Sequence, residues 1–402
     1  MSSNELIKIF LSEDVGAPAY KVVRALAERG SASAIELSRH TGLAKSTMSA
    51  LVAELKDASV IIEPEPSKDA RASSRGRPAV QLSLNPQAGT SVGVLPGPDF
   101  IGIALVDAAH GIRDERSVEI KPNYSVDQGV EAVAELVQQA YAATGLQRET
   151  LLGVGLAMPG PFNHRTGVML RSTLLPNWVD LDIGAHFAKR FDVPVIADNE
   201  SNCAAIAEMT WGAALGQQDF LYAKFDEGVG GAVIVDGRVL RGALGAAGEI
   251  GHFMVDPDGP LCTCGSRGCL EAMMRWDAIV RPARALFGEN ITFPQIAGRA
   301  QEGDPGCVRL ISDAAAAAGR ALAGICAVLN PPLIVVGGRY VLAGEVFLRA
   351  MQESFDRHFH IRDQTDGGSV TPIVAGTFSN NRDSTLGAVG LVLREKPFTR
   401  SA

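Results

Sequence analysis

A chain of 402 residues, 46% hydrophobic and 20% charged, can bury sizeable cores, suits two or three domains at ~150 residues each, and is no disordered tail. Its 43 glycines and 21 prolines carry no collagen-like period, and MSSNELIKIF has no basic start followed by an apolar run and a small-residue cleavage site, so fibrous and exported classes are not expected. The net charge of −8 is uneven: residues 1–85 hold 11 basic against 10 acidic side chains, while the remainder is net −9 and a poor general binder of polyanions. Any nucleic-acid contact is therefore expected in the first segment, where residues 66–85 carry Lys68, Arg71, Arg75 and Arg77 against Asp69 alone.

The first 62 residues read as three short helices. Val22, Val23, Leu26 and Ala27 form a stripe that ends at Gly30. Ser33-Ala34-Ile35-Glu36 has the capping-box pattern, and its helix, carrying Ile35 and Leu37, stops at a tight Thr41-Gly42 turn. A third helix from about Ala44 places Met48, Leu51, Val52 and Leu55 on one face and leaves Lys45, Ser46, Thr47 and Ser49 outward. Val60–Ile62 and Val80–Leu84 predict two strands of a wing around a polar loop with Arg75 and Arg77. Asn85-Pro86 closes this head.

A different pattern follows. Ser91–Val94 and Ile101–Val106 predict a β-hairpin, Val126–Ala143 a helix, and Leu152–Ala157 and Val193–Ala197 buried strands. The pattern restarts with paired strands at Phe220–Phe225 and Ala232–Val235, then helices alternating with Leu333–Val336 and Ser369–Val374. Alternating strands and helices predict an α/β protein, and the repeated hairpin start predicts a duplicated, two-lobed body with a cleft. The apolar stretch Ala321–Gly338 is broken by Asn330, Pro331 and Pro332, so it predicts helix, turn and strand, with no membrane insertion. A soluble cytoplasmic chain is expected.

Among the six cysteines, three crowd into residues 262–269, which favours metal over disulfides. His252, Cys262, Cys264 and Cys269 supply the complete tetrahedral N/S shell that Zn²⁺ prefers, one ion per chain. With no position left for water, that ion would be structural. Cys203, Cys307 and Cys326 sit in apolar helical surroundings and are expected in the core.

GEIGH at 248–252 followed by CTCGSRGCLE at 262–271 resembles the signature of the ROK family of repressors and sugar kinases. Residues 43–55, LAKSTMSALVAEL, and 75–86, RGRPAVQLSLNP, resemble the winged helix-turn-helix of its repressor branch, so the similarity runs from about residue 20 to the end. The resemblance implies an actin-like, hexokinase-like ATPase fold behind a DNA-binding head. It sets a head at 1–86, a first lobe at 87–198 completed by 385–402, and a second lobe at 199–384 with the zinc site. It also implies a sugar held by Asn199, Glu200, Glu249, His252 and Glu271, with one nitrogen of His252 on zinc and the other toward the sugar.

Family kinases place an aspartate where this chain has Glu200, one methylene longer. Their D-x-G-G-T loop is replaced by Leu95-Pro96-Gly97-Pro98-Asp99, and their G-T-G-x-G-G loop by Asp226-Glu227-Gly228-Val229-Gly230-Gly231. Prolines lack the N–H that cradles phosphate, and the added acids repel it. Val335-Val336-Gly337-Gly338 alone resembles the adenosine-side turn. No catalytic residue is therefore assigned. The expectation is a sugar-responsive repressor that binds operator DNA through Lys45, Ser46, Thr47 and Ser49 on the third helix and Arg75 and Arg77 in the wing. Two heads are needed for an operator, so a homodimer or dimer of dimers is expected. An ATP-dependent sugar kinase and a regulator controlled by a protein partner are the alternatives.

Overall fold

The computed structural model describes residues 5–12, 14–64, 80–163, 166–361, 370–379 and 381–395. The chain divides into two compact units, one of Met1–Gly160, His164–Asp198 and Ala388–Ala402, the other of Pro161–Asn163 and Asn199–Gly387.

The first unit opens with α1 (Glu5–Phe10), α2 (Pro18–Arg29), β1 (Ser31–Ser33), α3 (Ala34–Thr41), α4 (Lys45–Asp57), β2 (Ile61–Ile62) and β3 (Gln81–Leu84). Among the described residues the head thus has four helices where the sequence predicts three, because the short α1 precedes the first apolar stripe. The Ser33 side chain accepts the Glu36 N–H while Glu36 accepts the Ser33 N–H at 2.7 Å, closing the capping box that starts α3. Gly42, at φ 73°, ends α3 in the left-handed conformation. Leu37, Met48, Leu51 and Leu55 are buried, whereas Ile35 is exposed. The sheet of this segment has three strands among the described residues, in the order β1-β3-β2: Ser31–Ser33 adds a strand by pairing antiparallel with Gln81–Ser83. Three residues of Ser-Ala-Ser carry no alternation by which to read it.

The chain continues as β4 (Thr90–Pro96), β5 (Phe100–Asp107), β6 (Ile112–Glu119), α5 (Val126–Thr144), β7 (Leu151–Met158), the short strands β8 (Phe162–Asn163) and β9 (Val168–Met169), α6 (Ile183–Phe191) and β10 (Val195–Asn199), of which β8 belongs to the second unit and the others, up to Asp198, to the first. The sheet of the first unit runs β10-β7-β4-β5-β6, with β4–β5 an antiparallel hairpin and β4–β7 parallel. β4 and β7 are buried along their whole length, which is why β7 reads as an unbroken apolar run. β6, with the sequence IRDERSVE, lies mostly exposed at the edge and escapes hydrophobic patterning.

The second unit contains α7 (Glu200–Trp211), β11 (Phe220–Phe225), β12 (Val229–Val235), β13 (Arg238–Val239), α8 (Leu270–Met274), α9 (Trp276–Phe287), α10 (Phe293–Gln301), α11 (Pro305–Leu329), β14 (Ile334–Gly337), α12 (Glu345–His358) and β15 (Ile373–Ala375). Its sheet order, β13-β12-β11-β14-β15, repeats that of the first unit strand for strand: an antiparallel hairpin whose first strand is also paired in parallel. This is the duplication that the two hairpin starts predict. α11 is long and apolar enough to cross a membrane by length and composition, but Ala314, Ala315, Ala318, Leu322 and Cys326 are buried with Phe347, Met351 and Phe355 of α12 in one core cluster. Burying a phenylalanine stabilises by ~1.5–3 kcal/mol, so α11 belongs to this core. Asn330, left-handed at φ 44°, ends it before the paired prolines and β14.

The last helix, α13 (Arg382–Arg394), gives residues 382–387 to the second unit and 388–394 to the first. Within the first unit it lies hard against β7: a Cβ on Gly155 would stand 1.7 Å from the Ala388 carbonyl oxygen.

Candidate functional site

On the head, Lys45, Ser46, Thr47 and Ser49 are all exposed along α4, opposite the buried face, as the helical spacing predicts. The Ser49 hydroxyl donates to the Lys45 carbonyl at 3.0 Å. Ala44 stands at the N-cap with no side-chain hydrogen bond. Arg75 and Arg77 lie outside the described residues.

In the second unit the candidate ligand residues gather around β12. A short 3-10 turn at Ile250–His252 presents Glu249 and His252, and two glycines let it sit against the strand. A Cβ on Gly248, at φ 95°, would meet the Gly231 carbonyl at 2.3 Å, and one on Gly251 would meet the Val229 carbonyl at 2.2 Å. Those contacts explain why the motif reads G-x-x-G. Glu271, in the first turn of α8, accepts the Val229 N–H at 3.3 Å and faces the Thr263 hydroxyl at 3.5 Å. Burial pushes the Glu249 carboxyl above its ordinary value; His252 opposes this and Glu271 adds to it.

The other two candidates open α7. The Asn199 side chain caps the helix by accepting the Ser201 N–H at 2.8 Å. Glu200 pairs with Lys224 at 3.5 Å; the Lys224 side chain is 5% exposed and that of Glu200 is 25% exposed. Lys224 lies in β11, directly opposite Gly230 of β12. Burial disfavours its ammonium, but Glu200, Asp383 and Asp226 together outweigh burial and hold its pKa above the ordinary value. For Glu200 burial dominates and raises the carboxyl, with Lys224 opposing. Sequence reasoning missed Lys224, although a lysine inside the apolar run FLYAKF was the available signal.

The Cys/His cluster converges as its spacing predicts. One ligand atom from each of His252, Cys262, Cys264 and Cys269 lies within 4.8 Å of all the others. The Cys262 sulfur is 3.6 Å from His252 Nδ1, and the Cys264 and Cys269 sulfurs are 3.7 Å apart. A tetrahedron with ~2.3 Å metal–sulfur bonds has edges of about 3.8 Å, and both of these spacings are close to it. Burial pushes the Cys269 thiol up to about 12, and the neighbouring Cys264 and Cys262 sulfurs add to the rise. Because Nδ1 faces the Cys262 sulfur, Nε2 is the nitrogen left for another partner. Cys203, Cys307 and Cys326 are buried, as expected of core residues.

The acidic loop after β11 is engaged by an arginine that sequence reasoning also missed. Arg339 pairs with Asp226 at 3.2 Å and with Glu227 at 3.4 Å, and its guanidinium lies 5.2 Å from the centre of the Trp276 ring. Asp226, Trp276, Phe293, Arg339 and Tyr340 line a shallow recess. The turn after β4 is filled as well: the Tyr124 hydroxyl donates to the Gly97 carbonyl at 2.8 Å, and the Gly97 N–H bonds Phe100.

Two sheets of matching strand order, with a Glu-x-x-His turn and a cysteine loop beside the second, define an α/β protein of the sugar-kinase-like type. The ROK family model matches residues 91–395, and the chain belongs to the ROK family. It is 28% identical over 328 residues to the xylose repressor of Bacillus spizizenii, covering 80% of this chain and 81% of that protein. A solved ROK family transcriptional regulator, described as a homologue of the E. coli MLC protein, aligns over 97% of both chains at 25% identity with a TM-score of 0.76. The ROK glucokinase of Streptomyces griseus, solved with glucose and AMPPNP, aligns over 75% of this chain and 99% of its own at 28% identity and a TM-score of 0.64. The regulator therefore matches head and body, and the kinase the body.

Proposed function

We infer that the chain is a sugar-responsive transcriptional repressor whose head, α2 to β3, is a winged helix-turn-helix. The observation that carries this reading is α4: an exposed row of Lys45, Ser46, Thr47 and Ser49 on a helix entered from a tight glycine turn, in a chain similar from end to end to a ROK regulator. Those four residues would meet bases and phosphates, with Arg75 and Arg77 of the wing in the minor groove. Asn199, Glu200, Glu249, His252 and Glu271 would hold the sugar, whose hydroxyls donate to the carboxylates. His252, Cys262, Cys264 and Cys269 would hold one Zn²⁺, whose chemistry here is to clamp the cysteine loop to the Glu-x-x-His turn. Operator recognition by paired heads calls for a homodimer or dimer of dimers, in the cytoplasm where DNA is reached and thiols stay reduced.

Phosphotransfer is not part of this reading. A base must be free to accept the sugar proton, and Glu200 is engaged with a buried ammonium. Phosphate needs donors, and the loop at Asp226 and Glu227 offers two acids that Arg339 already holds.

The test is binding of the purified chain to duplex DNA from upstream of its own gene, with and without D-xylose or D-glucose at millimolar concentration. A 5–150-fold change in affinity corresponds to ~1–3 kcal/mol of coupling and supports the reading. Loss of DNA binding on removing residues 1–86 assigns that binding to the head. ATP-dependent phosphorylation of either sugar would replace this reading with a kinase.

A further inference from the structure

Two contacts made by α13 carry an inference about regulation. In the second unit its first turn is tied to β11: the Lys224 ammonium donates to the Ser384 hydroxyl at 3.1 Å, and the Tyr222 hydroxyl donates to the Asp383 carboxylate. Asp383 and Ser384 are buried, and the same ammonium pairs with Glu200. In the first unit its last turn is tied to the head. The last carbonyls of any helix lack intrahelical donors, and a cation suits them best. Here α2 and α13 supply that cation to each other. Arg24 of α2, buried at 7% exposure, donates to the Val392 carbonyl at 3.5 Å and to the Glu395 carbonyl, while Arg394 of α13 donates to the Glu28 carbonyl at 3.1 Å. His110 of the body completes the arrangement at 2.6 Å from the Ala27 carbonyl. The Arg24 guanidinium also lies 4.7 Å from the centre of the Phe10 ring.

We propose that α13 transmits the state of Glu200 and Lys224 to the DNA-binding head, with Ser384 as the input contact and the reciprocal arginine caps, Arg24 and Arg394, as the output. All three act as positioning residues and touch neither sugar nor DNA. A thirteen-residue helix spans ~20 Å as one hydrogen-bonded rod, so a shift of its first turn reaches its last without a chain of side chains in series. Part of this inference rests on the sugar reading above, since Glu200 is the input only if it meets the sugar.

The experiment uses the full chain in two arms. In the first, amide hydrogen exchange is followed without sugar in the parent, Ser384→Ala and Arg394→Met. Arg394→Met should speed exchange in peptides covering residues 24–30, and Ser384→Ala should speed it in residues 24–30 and 389–395 alike. Changes confined to residues near each substitution overturn the proposal. In the second, DNA affinity is measured with and without the effective sugar. Ser384→Ala should still bind the sugar, by calorimetry, while its sugar-dependent change in DNA affinity falls at least ~5-fold. A response equal to the parent's overturns the proposal. If no sugar shifts the parent, the functional reading fails, and the exchange arm decides the coupling by itself.

Discussion

Replacing Lys224 with methionine keeps the length and apolar bulk of the side chain and removes one buried charge. Glu200 and Asp383 then face each other's surroundings without the ammonium that both rely on. Breaking a buried pair by deleting one partner costs ~3–5 kcal/mol; Glu200 keeps a quarter of its side chain in water, which places this case near 3. At ~2–4 °C per kcal/mol for a unit of this size, the melting temperature should fall by about 6–12 °C. The loss should depend on pH with a definite sign. Burial raises the Glu200 carboxyl in the folded chain, so the folded state binds that proton more tightly than the unfolded state. Such a group contributes its full stability below the unfolded pKa and loses it as pH rises through the folded one. Without the ammonium the carboxyl rises further, so the deficit of Lys224→Met should be largest at neutral pH and shrink toward pH 5. Adding Glu200→Gln should recover much of it and flatten the pH dependence. Thermal melts of the three chains at pH 5 and pH 7.5 decide this. A deficit below about 2 °C, or an equal deficit at both pH values that the second substitution leaves in place, would refute the reasoning.

Elemental analysis should find about one zinc per chain, and Cys264→Ser should lower both zinc content and melting temperature; a folded chain free of metal would contradict the Cys₃His assignment. Ala44→Ser should add the missing N-cap of α4 and stabilise that helix by ~0.5–2 kcal/mol, read as slower amide exchange over residues 45–50. Glu249→Gln should weaken sugar binding and spare sugar-free DNA binding. In the parent, sugar affinity should decline as pH falls through the raised Glu249 value, where the carboxylate loses its charge, and calorimetry from pH 5 to 8 would show no such decline if Glu249 is not an acceptor. Lys45→Ala should flatten the salt dependence of DNA binding if it meets phosphate, or cost ~1–3 kcal/mol at one base position if it reads sequence.

The legible parts of the sequence were those where one face or one spacing carries the information. Met48, Leu51 and Leu55 define α4, Ser33 and Glu36 define the start of α3, and the C-x-C-x4-C spacing defines the sulfur cluster. Buried strands such as Leu151–Met158 stand out as unbroken apolar runs. β1 and β6 did not, because β1 has three small residues and β6 is largely solvated. The ion pairs were the larger omission. Lys224 finds Glu200 and Ser384, and Arg339 finds Asp226 and Glu227, across gaps of tens to more than a hundred residues. Such pairings depend on sheet register and helix docking, which local pattern does not encode. The same holds for Arg24, whose acceptors are carbonyls at the far end of the chain.

The charged strand β6 bears on how copies of this chain can assemble. It is the outer strand of its sheet, and one whole row of its backbone groups has no strand neighbour among the described residues. Such a margin is a template for a second molecule to stitch onto. Here that margin is guarded: Arg113, Asp114, Glu115 and Arg116 succeed one another along it, Arg113 turned onto Asp107 and Arg116 onto Asp114. A copy laid alongside would have to strip water from these charges. That cost opposes continuous sheet growth on this side.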